Sequence, residues 1–286
     1  MGRHMRFGAL LAIVGALVWP TSSAWAQSRP LQTEDPETVG TGMVLLEAGS
    51  NYEHGEAYPA SGLNGNLWRV GTFGANFGVS PIAEIQIKGG VQDTLSITNQ
   101  MPAPLSSLLT FTGTSTHAFP DVIIGAKLRF MAETATRPAL AIKFSTRLPN
   151  ESNASGLGLN TTDFNVYFLM AKTVQSVRIV GNVGFGILGS PTNAVLQNDV
   201  LDYGISVARA VKPGVEIVGE WNGRYNRSLV PSVGTESRSE MRLGSRFTHG
   251  PVRFDGALLI GVTDFDPTWG FTFGLTWVFK AFNIGQ

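Results

Sequence analysis

The chain has 286 residues, 21 basic against 21 acidic side chains and no Cys. A nucleic-acid protein carries a basic excess, so this balance argues against nucleic acid as the main partner, and the lack of Cys fits an exported protein that avoids thiol oxidation. With 34 Gly, 17 Phe and 6 Trp, the composition suits a β-barrel and also a large soluble β-sandwich, so the choice rests on pattern.

At the N-terminus, Arg3 and Arg6 precede the apolar run 7–18, and Ala24-Trp25-Ala26 follows. That order predicts a secretory signal peptide over 1–26. A spanning anchor fits less well, because the run is shorter than the roughly 20 residues a transmembrane helix needs and Pro20 ends it. Cleavage would leave 260 residues with 19 basic and 21 acidic groups, a net of −2. Residues 27–41 are polar and read as a periplasmic N-terminal tail. The best later apolar run, 257–262, is too short for a transmembrane helix.

From Gly42 to Gln286 the sequence reads as an outer-membrane β-barrel. Twelve strand-like runs follow one another at 42–53, 67–79, 82–93, 119–132, 138–149, 161–174, 177–188, 199–211, 214–225, 236–248, 251–263 and 268–280. Each is near the ten or so residues of a tilted transmembrane strand. Tight turns such as Lys212-Pro213-Gly214 and His249-Gly250-Pro251 alternate with longer stretches at 54–66, 94–118, 150–160, 189–198, 226–235 and 264–267. Barrels with short periplasmic turns and longer extracellular loops alternate in this way, whereas a soluble sandwich has no reason to. The fold class is therefore all-β, an antiparallel up-and-down transmembrane barrel of about twelve strands, located in the bacterial outer membrane.

Successive strand residues point to opposite faces. Trp269, Phe271, Phe273, Leu275, Trp277 and Phe279 share one face of the last strand, against Gly270, Thr272, Gly274, Thr276 and Val278. Ile124, Ala126, Leu128 and Phe130 oppose Asp121, Lys127 and Arg129. Leu140, Ile142 and Phe144 oppose Lys143 and Arg147. Ile217 and Trp221 oppose Glu216, Glu220 and Arg224, and Met241, Leu243 and Phe247 oppose Glu240, Arg242 and Arg246. An Arg or Lys on the lipid face near the midplane costs about 2–4 kcal/mol, so the charged faces are expected inward. With Glu84 and Lys88 these charges form the candidate lumen lining. Mixed signs favour ion-pair filling over a one-sign selectivity ring for most of them. Arg69 breaks the pattern by sharing parity with Phe73 and Phe77, which predicts a rim position or a bulge.

The segments Arg29-Pro30-Leu31-Gln32-Thr33-Glu34-Asp35-Pro36, Pro120-Asp121-Val122-Ile123-Ile124-Gly125-Ala126-Lys127, Pro138-Ala139-Leu140-Ala141-Ile142-Lys143 and the terminal Phe273-Gly274-Leu275-Thr276-Trp277-Val278-Phe279 resemble pieces of the outer-membrane transporter family named after the meta-cleavage pathway of phenol degradation. Where that family has Leu-Pro-Thr-Gly, this chain has Leu148-Pro149-Asn150. The resemblance spans essentially the whole mature chain and implies a barrel passing small hydrophobic or aromatic molecules. Gly274, Trp277 and Phe279 also resemble the terminal signal read by the barrel-assembly machinery. Lys280 to Gln286 runs on beyond it, but Phe282 has the wrong parity to replace Phe279.

Enzyme chemistry finds little purchase. A hydrolase needs a Ser beside a His base and an orienting acid or Asn. His54, His117 and His249 fall in loops or turns and His4 leaves with the signal, so no catalytic residue is assigned. Asp163, Asp264 and Asp266 supply oxygen ligands without a cation-loop spacing, so no metal site is assigned. Gly181, Gly184, Gly186 and Gly189 are read as easing strand curvature or leaving lumen space rather than as a phosphate loop. No cofactor is expected. The expected partners are outer-membrane lipid, lipopolysaccharide, the assembly machinery and a small solute, with the barrel a monomer. The reading is a passive channel for small, hydrophobic or aromatic solutes. Its rivals are a lipid-modifying barrel hydrolase and a non-transporting structural barrel. The apolar 94–118 loop, with Leu105, Leu108 and Leu109, is expected to fold into the mouth.

Overall fold

The computed structural model describes residues 28–193 and 196–283. The expected signal peptide and Gln27 lie outside the described residues. Fourteen strand segments are present: β1 Met43–Tyr58, β2 Leu63–Gly78, β3 Ala83–Gly89, β4 Gln92–Gln100, β5 Ser115–Ala118, β6 Ile123–Met131, β7 Ala139–Arg147, β8 Asp163–Val174, β9 Val177–Gly189, β10 Gln197–Lys212, β11 Val215–Asn226, β12 Arg238–His249, β13 Val252–Gly261 and β14 Trp269–Lys280. Every pairing is antiparallel, and β1 pairs with both β2 and β14, which closes the sheet. β3 and β4 pair with successive halves of β2, so they are one stave interrupted at Gly90-Val91. β5 and β6 likewise pair with β4 and β3 and form a second interrupted stave. The fourteen segments therefore make a barrel of twelve staves.

The alternation is realised as an apolar outside and a polar inside. Trp269, Phe273, Leu275 and Trp277 are exposed on β14, while Thr272 and Thr276 between them are buried. Leu243 on β12 is 66% exposed and Leu258 on β13 is 64% exposed. An apolar belt of this kind around a closed ring is stable only in lipid, because in water it would leave greasy surface unburied and no other element among the described residues covers it.

Arg69 is explained by a bulge. Gly49 pairs with Thr72 and Ser50 with Val70, so Gly71 is the extra residue, with φ of 66°. That extra residue reverses the parity along β2. Phe73 stays outward, while Arg69 turns inward to Glu53 at 3.3 Å and to Asp93.

Two expected loops are shorter than their sequence suggested. β1 and β2 extend until only the turn 59–62 joins them, and β4 and β5 reduce the 94–118 loop to 101–114. Burial of Leu63, Leu67 and Leu95 together with Leu157 rewards this extension. Leu109 and Phe111 of the 101–114 loop pack onto the same cluster. β5 pairs with β4 alone among the strands. Its other flank meets the 148–162 segment through Thr116 Oγ1, which donates to the Ser155 carbonyl at 2.8 Å.

One expectation is corrected outright. Residues 28–41, read from sequence as a tail outside the barrel, lie within it. Leu31, Thr33, Glu34, Asp35, Thr38 and Val39 are buried. The physical reason is complementarity: a chain with Glu34, Asp35 and Glu37 meets an inward wall rich in Lys and Arg, whose charges need partners away from water.

Candidate functional site

The lumen is built from the inward side chains of the strands and from the N-terminal segment that fills part of it. Glu34 is its electrostatic centre. Its carboxylate contacts Lys143 of β7 and Gln86 of β3, and lies 3.3 Å from Lys127 of β6 and 3.6 Å from Lys88 of β3. The Asn182 side chain clamps the Glu34 backbone, accepting its N–H at 2.7 Å and donating to its carbonyl at 2.8 Å. Lys127 is fully buried, pairs with Glu84 at 3.1 Å and donates to the Asp35 carbonyl at 2.9 Å. Glu84 in turn accepts the Val39 N–H at 2.7 Å.

The rest of the segment is held just as densely. Asp35 pairs with Arg178 at 2.7 Å, and Glu37 pairs with Arg129. Glu220 accepts two consecutive backbone N–H groups, from Gln32 at 2.7 Å and from Thr33 at 2.8 Å. Arg242 donates to the Pro30 carbonyl at 3.1 Å, and Arg246 donates to the carbonyls of Ser28 and Arg29, each at 2.9 Å. Arg29 lies 3.4 Å from Asp255 and donates to the Phe273 carbonyl at 2.8 Å. A Cβ on Gly49 or Gly274 would come within 2.3 Å or 2.5 Å of the Arg29 guanidinium. Those two glycines, paired across β1 and β14, leave the space Arg29 occupies. Gly274 was singled out with Trp277 and Phe279 as a terminal signal; its lack of a side chain also serves this seat.

Eight of the sequence candidates thus touch the N-terminal segment: Glu84, Lys88, Lys127, Arg129, Lys143, Glu220, Arg242 and Arg246. The other five lie elsewhere on the inner face. Arg147 bridges Asp121 at 2.8 Å and Asp163 at 2.5 Å. Glu216 sits 3.6 Å from Arg246 and from Arg253, and Glu240 pairs with Arg242 at 2.9 Å. Arg224 donates to the backbone carbonyls of Glu236 and Gly234, each at 2.9 Å. Sequence reasoning missed Arg29, Glu34, Asp35 and Glu37, together with Gln86, Arg178, Asn182 and Asp255 on the wall. The available signal was the net −2 of the segment 29–37 opposite a set of inward bases.

Within the lumen, a cavity flanks the segment on each side. One of about 580 Å³ opens toward the long-loop end and is lined by Glu34, Lys88, Lys143, Tyr167, Tyr203 and Arg224 among others. The second, about 280 Å³, opens toward the short-turn end beside Asp35, Arg178, Glu216 and Arg246. Thr33 borders both, so the segment forms the partition between them. At the long-loop end Glu151 is buried in the 148–162 segment, with Oε1 lacking a partner. Burial, with repulsion from Asp93, pushes its carboxyl up to about 8.

The residues weighed for other chemistry sit apart. His54 stacks on Trp269 with ring centroids 5.5 Å apart, and His117 lines a recess between β5 and the 148–162 segment. Asp266 accepts the N–H groups of Ser239 at 2.8 Å and Thr263 at 2.9 Å, so it organises its own loop, while Asp163 is engaged by Arg147. Among the described residues no group of three or more His, Cys, Asp or Glu is placed to hold a metal ion.

Comparison with known proteins places this architecture. The family model described as "Putative MetA-pathway of phenol degradation" matches residues 27–251. An outer membrane channel from Pseudomonas putida F1 superposes with a TM-score of 0.58 at 12% identity, covering 86% of this chain and 98% of that one. The translocator domain of the autotransporter NalP from Neisseria meningitidis gives 0.48 at 11% identity, covering 84% and 88%. The outer membrane channel DcaP of Acinetobacter baumannii gives 0.44 at 9%, covering 83% and 96%. No curated protein matches the sequence.

Proposed function

The chain belongs to the family whose model carries the phenol-degradation description, and we propose that it is a passive outer-membrane channel for small solutes, closed at rest by its own N-terminal segment. The observation that carries this reading is the partition at Thr33. The barrel is closed and polar inside, it holds cavities on both sides, and what separates them is a single stretch of chain held by hydrogen bonds and ion pairs. Residues 28–39 belong to no strand of the sheet, so the segment can leave as a unit without breaking a ladder pairing.

The cargo proposed is a small aromatic or hydrophobic molecule. The family description favours it, and a cavity offering Tyr167, Tyr203 and many hydrogen-bonding groups suits an aromatic ring bearing a polar substituent. Insertion is proposed to proceed as a monomer through the barrel-assembly machinery, with β14 and its outward Trp277 and Phe279 as the recognised strand. Refolded protein lacking residues 28–39 is expected to pass small solutes in liposome-swelling assays much faster than the full chain. Equal, negligible swelling by both forms, with heat-modifiable migration confirming the barrel, would overturn the channel reading in favour of a structural barrel.

A further inference from the structure

We infer that the Glu34 carboxylate occupies a subsite for the anionic group of a solute, and that a small aromatic carboxylate entering from the long-loop side loosens the plug by taking Glu34's place on the lysines. This rests on the channel reading above and names the chemical class of its cargo.

The wall asks for an anion at this point. Lys127 and Lys143 are direct cross-strand partners on β6 and β7, and Lys88 faces them from β3. Like charges opposite one another destabilise a sheet. Of the wall's own acids, Glu84 answers Lys127 at 3.1 Å. The further negative charge beside Lys88 and Lys143 comes from Glu34, a residue of the displaceable segment. A carboxylate there, whether from the segment or from a solute, makes the same charge-assisted contacts.

The subsite can be reached and has an aromatic neighbour. Glu34, Lys88 and Lys143 all line the large cavity. The Lys143 Nζ lies over the Tyr167 ring, 5.8 Å from its centroid, so the lysine that would hold the carboxylate stands beside an aromatic side chain of the cavity wall. The cavity's acids are already engaged by their own partners: Glu53 with Arg69, Glu56 with Arg238, Asp163 with Arg147, and Glu240 with Arg242. Asp202 accepts from Asn165 at 3.0 Å. Arg224, in the same lining, gives its hydrogen bonds to backbone carbonyls and stands directly across the sheet from Asp202.

The test uses refolded protein in planar bilayers, with benzoate and the uncharged phenol as probes. In a salt gradient the barrel lacking residues 28–39 is expected to reverse at a potential showing anion preference, and Lys88→Gln with Lys143→Gln to reduce that preference. In the full-length chain, Glu34→Gln is expected to raise the open fraction by about tenfold or more, since charge-assisted hydrogen bonds to the lysines are lost. Benzoate should raise the open fraction of the parent chain, and phenol at equal concentration should leave it unchanged. A truncated barrel that conducts without anion preference, or benzoate acting no better than phenol, overturns this inference and leaves the channel reading standing. A truncated barrel that folds and passes no current overturns both.

Discussion

Removal of the Glu220 carboxylate is the cleanest way to loosen the plug without altering the plug itself. The side chain is fully shielded from solvent and accepts the N–H groups of Gln32 at 2.7 Å and Thr33 at 2.8 Å. Glu220→Ala deletes both acceptors and leaves two donors unpaired. Each buried orphan costs about 1–3 kcal/mol, so the seated segment loses roughly 2–6 kcal/mol relative to the displaced one. In populations that is a shift of roughly 30-fold to 10⁴-fold toward the open form. The lower part of the range is expected, because Gln32 and Thr33 border the large cavity and water there can take up an exposed N–H. The wall should survive, since Arg242 keeps Glu240 at 2.9 Å and the Pro30 carbonyl at 3.1 Å. Glu220→Gln retains one acceptor oxygen and should fall between parent and alanine. Two readouts must agree: single-channel open fraction, and hydrogen exchange at the Gln32 and Thr33 amides. Exchange rates and open fraction both within about twofold of the parent would refute the assignment of Glu220 as a holding group.

Three further outcomes follow from other parts of the barrel. Leu243→Arg, midway along β12 on the lipid face, should destabilise the liposome-embedded barrel by about 2–4 kcal/mol in denaturant unfolding, whereas Leu229→Arg in the fully exposed loop should leave the midpoint unchanged. Gly71→Val places a β-branched residue at φ of 66° with its Cβ 2.8 Å from Val91 Cγ2. Strain of order 1–3 kcal/mol is expected, read as a lower refolded fraction by heat-modifiable migration; an unchanged fraction would contradict the bulge as a constraint. For Glu151 the sign runs with its raised pKa: from the ordinary value of 4.5 up to about 8, the unfolded loop releases the proton and the folded loop keeps it. Stability of the 148–162 segment should therefore fall as pH rises through that window. Proteolysis of this loop should be faster at pH 8.5 than at pH 5, and Glu151→Gln should flatten the difference.

The parts of this barrel that repeat every two residues were legible in the chain. Leu243 and Arg242 could be sent to opposite faces from sequence because a strand leaves no third option, and the cost of a charge in lipid decides which face is which. Even the exception was half-readable, since the parity conflict between Arg69 and Phe73 pointed to a rim position or a bulge, and the structure places the bulge at Gly71. The N-terminal segment obeys no such period. Glu34 is meaningful only beside Lys88, Lys127 and Lys143, which come from three staves paired side by side and meet it only when the segment folds back into the barrel. The sequence therefore displayed the wall's charges but not the strand of chain that pairs them, and the polar tail read as solvated. The extension of β4 and β5 was hidden for a similar reason. Leu95 looked like a loop apolar residue until Leu63, Leu67 and Leu157 surrounded it.

The central claim, that this N-terminal segment shuts a conducting barrel, is tested most directly by tethering it. A Cβ built on Gly204 lies 3.6 Å from Thr33 Cβ, within the span a disulfide bridges. The chain has no Cys of its own, so Thr33→Cys with Gly204→Cys would create the sole bridge. With benzoate present, currents through the refolded double variant are predicted to be absent while the bridge is oxidised, and the openings of the untethered chain to return on adding reductant, reversibly. Equal currents before and after reduction, with bridge formation confirmed by mass, would contradict the account.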